Sequence, residues 1–205
     1  MDTKFTEQDA IRASQQGDLE SFNILILRYQ DFLFRMAFRI LGDEDIACDA
    51  VQETCLLVFK KISSYREGSF RGWLARIITN VCYDELRRHG RSRIKSLDSN
   101  EEDENEIESS YWMADFSTNP ERQVEALEFT RTIQRCLEMI SPQHQLILIL
   151  IDIEDFSYEE AADTLKVPIG TIKSRLARAR KQMKAALQFS GELLPAQYYN
   201  VAMAG

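Results

Sequence analysis

The sequence predicts an all-α fold, with two helical domains joined by a flexible acidic linker. Three observations carry this. Apolar residues recur every three to four positions over most of the 205 residues, the spacing of one buried helix face. No strand-like alternation survives across several residues, and no repeat period is visible. Between Leu97 and Glu121 the chain has nine acids and no base, and like charge with few aliphatics gives an extended connector rather than a core.

The elements follow in order. Glu7 to Gln15 reads as a short helix ending near Gly17. Asp18 is an N-cap for the next, which runs to about Leu41 and stops at Gly42. Its stripe is Phe22, Leu25, Tyr29, Phe32, Leu33, Met36 and Ile40, a core face rather than a cofactor box. Asp43 caps a third helix to about Ser63, with Ile46, Val51, Cys55, Val58, Phe59 and Ile62 expected inward and Asp49, Gln52 and Glu53 polar. After a loop from Ser63 to Gly68, a fourth helix starts near Ser69. Phe70, Trp73, Leu74, Ile77 and Val81 form its stripe, and Arg76, Asn80, Tyr83, Arg87 and Arg88 lie off it. Four helices with short connections make a compact domain over residues 1–95.

Residues 96–120 are the acidic linker, whose Tyr111, Trp112 and Phe116 suggest that part of it docks. The second domain, residues 121–187, opens after Pro120 with the stripe Val124, Leu127, Ile133 and Leu137. Ser141 and Pro142 restart the chain as N-cap and first helical residue, and Leu146 to Ile151 is continuous core. Ser157 and Glu160 have capping-box spacing, so a helix begins there and runs to Leu165. Pro168 fits the first position of the next helix, where Ile172, Leu176, Ala179 and Met183 make one apolar stripe. Residues 188–205 are a tail with one charge, Glu192.

Composition narrows the function. The N-terminus lacks the apolar core of a secretory signal, and the longest apolar run is far too short to span a bilayer. A cytoplasmic protein without membrane insertion is expected. The four cysteines (Cys48, Cys55, Cys82, Cys136) form no CxxC, so reduced thiols are expected, with no metal and no cofactor. His89 and His144 have no evident partner in the sequence. No GxxxxGK[ST], GxSxG, HExxH or GxGxxG occurs, and the adjacent Glu159 and Glu160 diverge on a helix. Binding rather than catalysis is the expectation.

The net charge of −8 argues against nucleic acid until its distribution is considered. Arg87, Arg88, Arg91, Arg93 and Lys95 form a basic block, the linker is acidic, and the last helix has no acid from Thr171 to Gln188. A buried stripe backed by a cationic surface, after a short helix and tight turn, suits the DNA major groove.

The residues then carry a family resemblance. Asp49-Ala50-Val51-Gln52-Glu53-Thr54, followed by Phe59, resembles the polymerase-binding segment of bacterial sigma-70 factors. Gly68-Ser69-Phe70-Arg71-Gly72-Trp73-Leu74, then Ile77, Asn80, Asp84, Leu86, Arg87 and Arg88, resembles the adjoining promoter-melting segment. Ser157-Tyr158-Glu159-Glu160-Ala161-Ala162, then Val167 to Leu176 with Arg178, Ala179 and Arg180, resembles the family's C-terminal helix–turn–helix. The order and separations match over about residues 8–187. Two domains with no room for a middle one resemble the extracytoplasmic-function (ECF) group.

The resemblance implies a sigma region 2-like first domain and a region 4-like second. Core RNA polymerase would be bound through Asp49, Gln52, Glu53 and Phe59. Tyr65, Arg66, Phe70, Arg76, Asn80, Arg87, Arg88 and Arg91 would recognise and melt the minus-ten element. Gly170, Thr171, Lys173, Ser174, Arg175, Arg178, Arg180 and Lys181 would read the minus-thirty-five element of promoter DNA as duplex. An anti-sigma factor is an implied partner. The acidic linker would either mimic RNA in the polymerase's nucleic-acid path or simply stay extended. Two positions depart from the family pattern: Cys55 stands where Phe is usual, and Lys166 where a turn glycine is common. A left-handed Lys would add about 1 kcal/mol of strain. A duplex-binding regulator that never joins polymerase is the alternative; it accounts for residues 156–187 only.

Overall fold

The computed structural model describes residues 6–66, 68–95 and 120–189, with side chains at 6–66, 68–88 and 128–189. The acidic run, the side chain of Arg91 and the tail beyond Phe189 lie outside this set. Every regular element among the described residues is helical. The chain divides into two compact units, one built on α1–α4 together with Asp163–Leu165, the other on α5, α6, the rest of α7 and α8.

In the first unit, α1 (Glu7–Gln15) opens with a capping box in which Thr6 and Asp9 exchange hydrogen bonds. Asp18 caps α2 (Leu19–Leu41) by accepting from the Ser21 N–H, and Gly42 ends it in the left-handed conformation, φ 77°. Asp43 accepts from the Ile46 N–H to start α3 (Glu44–Lys61), and a short 3-10 turn, Ile62–Ser64, follows. The fourth helix, α4, spans Phe70–Lys95. Helices α2, α3 and α4 pack on one another, and α1 packs on α2. Leu25, Leu33, Met36, Leu74 and Ile78 are fully buried between them, each contributing about 1.5–3 kcal/mol.

The inward face of α3 differs from the expected one. Ala47, Ala50, Thr54 and Val58 are buried, whereas Ile46, Val51 and Cys55 are only half-buried and Phe59 is exposed. The stripe of small residues runs one position off the stripe of large ones. Small side chains let the α3 backbone approach its neighbours closely, and the larger residues are left to the flanks. Thr54 Oγ1 is buried there without a hydrogen-bond partner.

In the second unit, α5 (Pro120–Glu138) leads into α6 (Pro142–Leu148), which has Ser141 as N-cap and Pro142 at its start. A π turn, Ile149–Ile153, continues α6. Then come α7 (Tyr158–Leu165) and α8 (Ile169–Phe189). Leu146 to Leu150, Ile172, Leu176 and Ala179 are buried, and Met183 is half-buried. His144 has a partner that its sequence context did not disclose: its Nδ1 and Gln182 Oε1 are hydrogen-bonded at 2.8 Å, tying α6 to α8.

Candidate nucleic-acid interface

Each unit presents one candidate surface. On the first, the face of α3 opposite its small-residue stripe carries Asp49, Gln52 and Glu53, all exposed. Between them, on the same face, lies Leu56, 62 % exposed. Phe59, 44 % exposed, flanks this face with its ring edge-on to Phe22, centroids 5.0 Å apart. An exposed leucine framed by carboxylates is a surface that a basic, partly apolar partner can cover. Leu56 was missed in the sequence; its signal is an apolar residue seven positions after Asp49, on the polar face.

The loop before α4 is built around Tyr65. Gln15 Nε2 donates to the carbonyls of Ile62 (3.1 Å) and Tyr65 (2.7 Å), so α1 holds the loop from behind. Tyr65 Oη donates to the Gly68 carbonyl at 2.7 Å. Gly68 has φ +107°, which only glycine adopts without strain. The Tyr65 ring is half-buried, meeting Phe70 edge-on at 5.2 Å and Trp73 at 5.3 Å. Burial first, and the Glu7 carboxylate second, push its hydroxyl pKa up.

Phe70 does not share that accessibility. It is 2 % exposed and also packs edge-on against Tyr29 at 5.5 Å. Its ring has no free face for a base, so the expectation that it contacts the minus-ten element is corrected: Phe70 is the core residue beneath Tyr65. Arg66 is exposed in the loop.

Along α4, Arg76, Asn80 and Arg87 fall at i, i+4 and i+11, one helix face. Arg87 pairs with Asp84 at 3.1 Å and donates to the Tyr83 carbonyl at 3.2 Å. Arg88 points elsewhere, toward α3, with Glu85 at 3.0 Å and Glu53 at 3.4 Å. The Arg87–Asp84 and Arg88–Glu53 pairs are exposed on both sides and worth at most about 1 kcal/mol each, so a phosphate can displace those two carboxylates. Arg88 and Glu53 therefore join the two candidate surfaces of this unit at one contact.

On the second unit, α7 starts with the expected capping box. Glu160 N–H donates to Ser157 Oγ at 3.1 Å, and Ser157 N–H donates to Glu160 Oε2 at 2.9 Å. Lys166 closes α7 in the left-handed region, φ 55°, ψ 44°. Pro168 sits one position earlier than expected, just before α8 begins at Ile169. Its carbonyl accepts from the Thr171 N–H at 2.8 Å. That N–H is thus engaged within the protein. Gly170 is exposed, and a Cβ there would meet open space.

Around α8 the cations separate into groups. Arg180 forms a two-pronged pair with Asp152, Nε–Oδ2 3.0 Å and Nη2–Oδ1 2.7 Å, which raises its already high pKa. Lys173 Nζ lies 5.9 Å from the centre of the Tyr158 ring. Arg175 is half-buried beside the inward stripe. Ser174, Arg178 and Lys181 are exposed and share the face opposite the buried stripe with Gly170. Among the described residues no carboxylate pairs with Arg178 or Lys181. The eight expected contacts are therefore not equivalent: Arg180 is held sideways, and the outward line is Gly170, Ser174, Arg178 and Lys181.

Among the described residues no three His, Cys, Asp or Glu side chains cluster to hold a metal ion, and no helix is long and apolar enough to cross a membrane. All four cysteines are free, with Cys82 and Cys136 buried.

Comparison with known proteins adds to this geometry. The Sigma-70 region 2 family model matches residues 25–92, and the Sigma-70 region 4 model matches residues 130–183. The ECF RNA polymerase sigma factor SigE of Mycolicibacterium smegmatis is 34 % identical over 82 % of this chain, and the chain spans 62 % of that protein's length. The ECF RNA polymerase sigma-E factor of Haemophilus influenzae is 31 % identical over 92 % of this chain and 98 % of its own. Among solved structures, the sigma factor RpoE of Bartonella quintana, in complex with the anti-sigma factor NepR, superimposes with TM-score 0.64 at 29 % identity, covering 83 % of this chain and 98 % of that one.

Proposed function

The chain belongs to the ECF group of sigma-70 factors, and on that premise we propose a division of labour between its two units. As a sigma factor it directs RNA polymerase to promoters for the initiation of transcription. The first unit docks on core polymerase through the outer face of α3, where Asp49, Gln52 and Glu53 supply charge and polarity and Leu56 with Phe59 supplies apolar contact. The Tyr65 loop and the Arg76–Asn80–Arg87 face of α4 hold the minus-ten element. Melting exposes unpaired bases, and stacking on an aromatic ring supplies about 1–3 kcal/mol per base. The half-buried, partly accessible ring of Tyr65 supports giving it this role.

The second unit reads the minus-thirty-five element as duplex. Its α8 presents Ser174, Arg178 and Lys181 outward; a good bidentate contact to a base edge discriminates by about 1–3 kcal/mol. No step of this work is catalytic; the chemistry belongs to the polymerase. The protein acts in the cytoplasm, and an anti-sigma factor, the kind of partner bound to the Bartonella relative, holds it inactive there.

The observation that carries this reading is the presence in one chain of both family segments in order, at residues 25–92 and 130–183. A duplex-binding regulator would need only the second. The test is reconstitution with core polymerase on a promoter library. Co-elution with core and selection of a two-element promoter are expected; failure to bind core refutes the reading.

A further inference from the structure

We propose that Asp152 is a positioning residue for the recognition helix, and that Arg180 serves this pair rather than DNA. This rests on the reading of α8 as the reader of the upstream element.

The argument begins with azimuth. Successive residues of a helix are about 100° apart. Ile172, Leu176 and Ala179 are buried and fix the inward direction. Arg180 stands one step round from Ala179, on a flank, and meets Asp152 there through the two contacts of 2.7 and 3.0 Å. Lys173 lies on the same flank, beside Tyr158 at the start of α7. On the opposite flank Gln182 is bonded to His144 of α6. Both sides of α8 are thus tied, and what remains outward is the line of Ser174, Arg178 and Lys181.

Asp152 reaches Arg180 because of the π turn. The Glu154 N–H bonds the Ile149 carbonyl at 2.9 Å, five residues back, so this turn is wider than an α turn. The widening sets the direction in which Asp152 leaves the backbone. An exposed pair of this kind adds little stability, but a bidentate guanidinium–carboxylate contact is directional. Its effect is therefore angular: it fixes the rotation of α8 about its own axis. It also neutralises one cation, which lowers the number of phosphates the helix can neutralise by one.

The test uses the full chain in holoenzyme. The probe is a duplex carrying the upstream element selected by the wild-type holoenzyme from a randomised library, titrated across salt. Melting curves for each variant show that it is folded at the assay temperature. Arg178→Ala lowers the salt slope by about 0.9. Arg180→Ala leaves the slope unchanged while affinity falls about five-fold. Asp152→Asn, nearly isosteric, lowers affinity similarly. The exchanged pair, Asp152→Arg with Arg180→Asp, restores affinity to within about two-fold of wild type. A fall in slope of about 0.9 on Arg180→Ala, an unchanged affinity in both single variants, or absence of rescue by the exchanged pair overturns the proposal. A wild-type holoenzyme that selects no upstream element overturns the reading of α8 itself, and the inference with it.

Discussion

Replacing Phe70 and Tyr65 in parallel separates packing from strand capture. Phe70 is 2 % exposed, with the rings of Tyr29, Tyr65 and Trp73 at 5.5, 5.2 and 5.5 Å. Phe70→Leu keeps most of the volume but loses the edge-to-face contacts, for a cost of about 2 kcal/mol. In a unit of this size that lowers the melting temperature by roughly 10 °C. Tyr65→Leu loses a partly exposed hydroxyl bond to Gly68 and some ring contact, about 1 kcal/mol of stability. Its functional cost is larger, because a stacked base is worth about 1–3 kcal/mol, or roughly 5- to 150-fold in affinity. The assay pairs calorimetry of the free protein with holoenzyme affinity for a template already unpaired over the minus-ten segment. Tyr65→Leu is expected to lose affinity with a small change in melting; Phe70→Leu is expected to do the reverse. A large loss of affinity in Phe70→Leu, at a temperature where it is fully folded, would show that the cluster opens to offer Phe70 to a base.

Three further outcomes are expected. Lys166→Gly relieves left-handed strain of about 1–2 kcal/mol and gives back part of it as unfolded-chain entropy, so denaturant melts should show the second unit stabilised by about 0.5–1 kcal/mol; a lower midpoint refutes the strain. Thr54→Val removes a buried hydroxyl with no partner and should stabilise the first unit by about 1 kcal/mol, whereas a hidden hydrogen bond would make the same change destabilising. Burial pushes the Cys82 thiol up to about 12 from 9.0. The unfolded chain then loses this proton first, so its contribution to stability is full below pH about 9 and is lost as pH rises toward about 12. Cys82→Ala should flatten that alkaline decline, and an unchanged pH profile contradicts the assignment.

Much of the fold is legible because its signals are local. Asp18 and Gly42 bracket α2, and Ser157 with Glu160 starts α7, each through bonds to residues three or four positions away. The inward stripe of α8 needs only its own periodicity. The face of α3 was not legible, since Ala47, Ala50 and Thr54 are chosen for close backbone approach and periodicity counts large apolar residues first. The ring of Phe70 looks the same in sequence whether it lies in the core or on the loop. Arg180 is one cation among many until the fold brings Asp152 to it from 28 positions away. Leu56 carries no signal by itself, because an exposed leucine is commonplace on a surface; only its framing by Asp49, Gln52 and Glu53 makes it informative.

The side chain of Gln15 holds the Tyr65 loop through two carbonyls, one of them 50 positions along the chain. Both partners are uncharged, and so is the Tyr65–Gly68 bond that closes the loop. If this loop captures the melted strand as proposed, ionic strength should act on only half of that capture. On the proposed reading, rising salt should weaken the pull of Arg66 and Arg87 on the phosphates, while the shape offered to an unpaired base stays as it was. At high salt this unit should find its strand more slowly, yet release a base already stacked at nearly the same rate.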